Sequence, residues 1–120
     1  MKKEQRQVDS LYELLKEQAE IEAAINALPR GYISVKHISG HTYNYRQWRE
    51  GDKIISEYVP EAYLNGVKRK IAIRKEQEEL LKAVKKDIKN VSHKLIKAGL
   101  ITEEEIAELR EKARQEVANN

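Results

Sequence analysis

The chain has no cysteine and no phenylalanine, and its five glycines are scattered singly. Without cysteine there is no disulfide framework, no thiolate zinc site and no thiol nucleophile. Isolated glycines supply neither a phosphate-cradling loop nor a dinucleotide fingerprint. The serines, Ser10, Ser34, Ser39, Ser56 and Ser92, have no nucleophile-elbow context. Carboxylates do pair, in Glu78-Glu79 and Glu103-Glu104-Glu105, but acid–base work needs surroundings that drive two pKa values apart, whereas the first pair belongs to a solvated polar run and the triplet to a first helical turn, where negative charge favours the dipole. An enzyme is therefore not expected, and neither is a cofactor or a metal. No run approaches the roughly 18 apolar residues of a membrane-spanning helix, so no membrane partner is expected either. The N-terminus enters an amphipathic pattern directly, with no apolar signal core, which makes a cytoplasmic location the expectation.

What is present is charge. Of 120 residues, 36% are charged and 40% hydrophobic, with a mean hydropathy of -0.77. This describes a thin core under a strongly solvated surface, and the length suits one domain. The net charge of +3 is unevenly distributed: -1 over residues 1–30, +1 over 31–60, +6 over 61–98 and -3 over 99–120. The third segment is the basic one.

The spacing of Val8, Leu11, Leu14, Leu15, Ile21, Ile25 and Leu28 places them on one face of a helix over 4–28, which Pro29 and Gly31 close. The period then changes. Residues 31–59 are rich in Tyr, Ile, Val, Thr and Trp, with turn signals at Ser39-Gly40 and Glu50-Gly51, which predicts a three-stranded antiparallel meander. Its strands are expected over Tyr32–Ile38, Thr42–Arg49 and Lys53–Val59. Alternation puts Tyr43, Tyr45 and Gln47 on one face of the middle strand and Asn44, Arg46 and Trp48 on the other.

Pro60 suits a helix start, and the pattern predicts a long helix over 61–98, either continuous or broken at the polar run 74–79. Its later half carries Leu81, Val84, Ile88, Val91 and Leu95 as a coiled-coil-like seam. Thr102 and Glu105 form a capping box ahead of a last helix over 103–118, expected to pack back as an αα-hairpin. The predicted fold class is α+β, a single domain in the order N-terminal helix, meander, long helix, short C-terminal helix.

Three features carry candidate chemistry. His37 and His41 flank the first turn, but as polar strand residues rather than metal ligands; His93 lies among helical lysines on a solvated face. The meander gathers Tyr32, Lys36, Tyr43, Tyr45, Arg46, Trp48, Arg49, Lys53 and Tyr58, and an aromatic, basic sheet can lie against nucleic acid with its cations on phosphates. The bland alternative is that tyrosines are good strand formers. The long helix adds a lysine stripe, Lys82, Lys85, Lys86 and Lys89, which either neutralises phosphates or simply solvates the helix.

Gly31-Tyr32, Tyr43-Asn44-Tyr45 and Arg49-Glu50-Gly51 resemble a sheet unit of uncharacterised small bacterial and mobile-element proteins. The layout is similar, more loosely, to the three-stranded arm-binding domains of tyrosine integrases, which lay a sheet in the major groove. Short proteins of such context include phage inhibitors of host defence, anti-CRISPR proteins among them, that dock on a nucleoprotein. The expectation is a non-enzymatic protein that binds nucleic acid or a nucleoprotein complex through the sheet and the lysine stripe. The alternative is a helical protein-interaction module or homodimer using the seam.

Overall fold

A computed structural model describes residues 2–120 and has the α+β order that the sequence predicts. Helix α1 (Lys2–Asn26) is followed by strands β1 (Tyr32–Ile38), β2 (His41–Glu50) and β3 (Lys53–Val59), then α2 (Glu61–Lys97) and α3 (Glu103–Ala118). The strands form one antiparallel sheet in the order β1-β2-β3. Several boundaries differ from expectation by one or two residues. Helix α1 starts at Lys2, β2 gains one residue at each end, α2 ends at Lys97, and α1 stops at Asn26 because the ring of Pro29 disfavours helical geometry just before it.

Helix α2 is unbroken through 74–79. The run Arg74-Lys75-Glu76-Gln77-Glu78-Glu79 lacks an apolar stripe but contains only residues of high helix propensity, and nothing in it interrupts the backbone ladder. Polarity alone does not end a helix.

The chain divides into two compact units, one made of the segment up to Ile25 with Gln77–Asn120, the other of Asn26–Glu76. The helical unit holds a core of Leu11, Leu15, Ile21 and Ile25 from α1, Val84, Ile88 and Leu95 from α2, and Ile101, Ile106 and Ala113 around α3. The coiled-coil-like seam is thus consumed inside the chain: Val84, Ile88 and Leu95 are buried, and Leu81 and Val91 pack against the same core.

Both ends of the α2–α3 connection are fixed by local rules. Leu100 N–H donates to Leu95 O at 2.9 Å and Gly99 N–H to Ile96 O at 3.0 Å, with Gly99 at φ 73°, the Schellman closure. Glu105 N–H donates to Thr102 Oγ1, and Thr102 N–H donates to Glu105 Oε1, both at 3.1 Å, completing the predicted capping box. Ile101 and Ile106, both buried, stand at the positions of a hydrophobic staple. Along α1 and α3, Lys112 Nζ lies 5.4 Å from the Tyr12 ring centroid, and Lys16 pairs with Glu116 at 3.8 Å. No helix among the described residues is long and apolar enough to cross a membrane.

Candidate nucleic-acid interface

The sheet unit is ordered by its turns and by one close backbone approach. Ser39 and Gly40 both have positive φ, 50° and 80°, as a two-residue hairpin requires, and Gly51 at φ 60° opens the second turn. Gly31 is more constrained: at φ 102° a Cβ there would lie 2.0 Å from the carbonyl oxygen of Gln47. Only glycine allows the incoming chain to pass so near β2.

Registers then decide the faces, since directly paired residues share one. Tyr32 pairs with Gln47, Ser34 with Tyr45 and Lys36 with Tyr43. Tyr45 pairs in turn with Tyr58, Gln47 with Ser56 and Arg49 with Ile54. One face therefore presents Tyr32, Tyr43, Tyr45 and Tyr58 with His41, Lys36 and Arg49. Its rings touch: Tyr45 and Tyr58 meet edge-on at 5.8 Å, Tyr43 lies 6.4 Å from Tyr58, and His41 lies 6.4 Å from Tyr43. Lys36 Nζ sits 4.7 Å from the Tyr45 ring centroid. Tyr32 and Tyr58 are 52% and 54% exposed. No Asp or Glu shares this face in either register.

On the opposite face the charged groups near the start of β1 are engaged within the unit. Arg46 donates to the Arg30 carbonyl at 2.8 Å, stacks 3.8 Å from the Trp48 ring centroid and pairs with Glu57 at 3.7 Å. Its side chain is only 15% exposed. Trp48 donates its indole N–H to Glu50 at 3.0 Å, and Arg30 pairs with the same carboxylate at 3.4 Å. From α2, Arg74 donates to the Leu28 carbonyl. The two guanidiniums thereby tie down the connection between α1 and β1.

The sequence-predicted site thus separates into three groups. Lys36, Tyr43, Tyr45 and Arg49 come together on the open face. Arg46 and Trp48 belong to the opposite face, where their polar atoms are already engaged, and Lys53, opposite Glu50 at the second hairpin, shares that side. The stripe Lys82, Lys85, Lys86 and Lys89 lies in the other unit, where Lys82 pairs with Glu79 at 3.1 Å. Tyr32, Tyr58 and His41 complete the open face, and only the register, not composition, could have assigned them to it. His37 stands on the other side from His41, with Nδ1 3.2 Å from Thr42 Oγ1, so the two do not converge. Among the described residues no group of three or more His, Asp or Glu is arranged to hold a metal.

The model of a domain of unknown function, DUF6788, matches residues 2–83, a span that includes α1, the whole sheet and the first half of α2. No curated protein and no solved structure matches the chain.

Proposed function

Since the chain belongs to the DUF6788 family, we propose, as a reading of its sheet, that it binds single-stranded nucleic acid on the tyrosine face, with bases on the rings and phosphates on Lys36 and Arg49. The observation that carries this is the composition of the face: four tyrosines and two cations with no carboxylate among them. Bases stack on aromatic side chains regardless of sequence, at about 1–3 kcal/mol per base. Arg49 stands exposed at the end of β2, and Lys36 extends across the Tyr45 ring. Tyrosines serving only as strand formers would not require the acids to be confined to the other side.

A labelled dT20 strand tests the reading by fluorescence anisotropy across a salt series. Binding should weaken with salt, and removing both cations (Lys36→Ala, Arg49→Ala) should flatten the log–log slope by about 1.4, at roughly 0.7 per phosphate contact for a single strand. Tyr45→Leu with Tyr58→Leu should lower affinity at least tenfold, as about 1.4 kcal/mol of lost stacking implies. Tighter binding to a duplex of equal length would favour the major-groove mode instead. Absence of binding at low salt would dispose of both.

A further inference from the structure

The helical unit contains a second feature, independent of the sheet. Gln18 of α1, Lys85, Lys89, Ser92, His93 and Ile96 of α2, and Glu103 and Arg110 of α3 line a groove of about 560 Å³, floored by Ile88 and Ile106. On α2 the lining residues recur at steps of three and four, so one stripe of that helix supplies them.

Three polar atoms in this wall are buried without a hydrogen-bond partner: Gln18 Oε1, Ser92 Oγ and Arg110 Nε. Gln18 is 7% exposed, and its amide nitrogen is already directed to Glu22 at 3.5 Å, which leaves the carbonyl oxygen as a free acceptor. Unpartnered buried polar atoms are uncommon, and each calls for an explanation. Three around one groove form a set: Ser92 and Arg110 offer donors, and Gln18 offers an acceptor.

Charge narrows the ligand. The lining carries Lys85, Lys89 and Arg110 with one carboxylate, Glu103, an excess of two positive charges. That excess suits an anion, and a phosphate monoester near neutral pH is close to a dianion. We infer that the groove between α1, α2 and α3 binds a small hydroxyalkyl phosphate. Its phosphate oxygens accept from Ser92, Arg110 and the two lysines. Its hydroxyl donates to Gln18 Oε1, and its carbon chain lies on Ile88, Ile96 and Ile106. The volume falls in the range of small-molecule sites, roughly 300–1,000 Å³.

Glycerol 3-phosphate is a suitable probe, with inorganic phosphate and glycerol as its two halves, followed by amide chemical shifts and thermal unfolding of the full chain. Saturable shifts are expected at Lys89, Ser92 and Arg110 and not at Tyr45 or Tyr58, with glycerol at least about tenfold weaker, as loss of charge-assisted hydrogen bonds implies. Lys89→Gln, on an exposed position, should weaken binding by a similar factor without affecting the fold. Ser92→Ala should leave the ligand-free melting temperature unchanged or raised, because it deletes an unsatisfied group, and should diminish the rise that the phosphate ester produces. Non-saturating shifts spread over lysines outside the groove, such as Lys68, would overturn the assignment. So would a ligand-free melting temperature that falls in Ser92→Ala, since the hydroxyl would then serve the fold.

Discussion

Replacing Arg46 by methionine separates the two faces of the sheet. The methionine keeps an unbranched stem over Trp48 but removes the guanidinium, and with it a hydrogen bond to the Arg30 carbonyl at 2.8 Å, a cation–π contact at 3.8 Å and an ion pair with Glu57 at 3.7 Å. The charge-assisted hydrogen bond contributes about 1.5 kcal/mol, the low end of its range, because it is exposed and water replaces the lost donor. The stacked guanidinium adds about 0.5–1 kcal/mol, and the ion pair with a largely exposed carboxylate at most about 1 kcal/mol. These terms share one side chain and do not add fully, so a loss of about 2–3 kcal/mol is the expectation. Trp48, the only tryptophan, lies against the substituted group and reports unfolding of the sheet by its fluorescence during urea titration. Arg49→Met should do the reverse: stability nearly unchanged, strand binding weakened with a shallower salt slope. If Arg46→Met left the urea midpoint within experimental error and instead reduced the salt slope, the division into a structural and a binding face would be wrong.

Gly31→Ala should be more damaging than an ordinary turn substitution, because it combines a positive φ with a clash on the Gln47 carbonyl. We expect a loss above about 2 kcal/mol in the same fluorescence assay. Gly66→Ala, where a Cβ meets nothing within 4 Å, should raise stability by up to about 1 kcal/mol. Thr102→Ala removes the capping box of α3 and should cost about 1 kcal/mol, read by circular dichroism. The Tyr12 phenol is pushed up to about 12 by burial and by the neighbouring carboxylates of Glu116 and Glu13. Its neutral form is favoured in the folded state, so its contribution is fully present below pH 10 and should be lost as pH rises from 10 towards 12. A pH series comparing the protein with Tyr12→Phe should show the steeper decline only where the phenol is present.

Much of the fold was legible because it rests on local rules. Thr102 with Glu105, Ser39-Gly40 and Gly51 each announce a cap or turn by residue type, and these appear where the sequence puts them. Apolar periodicity leaves the fate of the polar run 74–79 open, whereas backbone continuity depends on propensity and on the absence of a breaker. Seam residues Val84 and Ile88 were equally legible as a stripe and not as to what covers them. A stripe of spacing three and four looks the same whether it meets a second copy or the chain's own α1 and α3, and here the core takes it up.

The candidate site was legible as composition and only partly as geometry. Strand alternation already parts Tyr45 from Arg46, but the pairing of β1 and β3 to β2 decides which further residues join each face, and register is a long-range property. Arg46 and Arg49 differ by three positions and so point to opposite sides, although as basic residues in one strand they look equivalent. What distinguishes them physically is their surroundings. Arg46 donates to the Arg30 carbonyl, stacks on Trp48 and pairs with Glu57, so its charge is engaged inside the unit. Arg49 faces Ile54 across the ladder, with no carboxylate on its side of the sheet, and in the proposed reading its charge meets a phosphate.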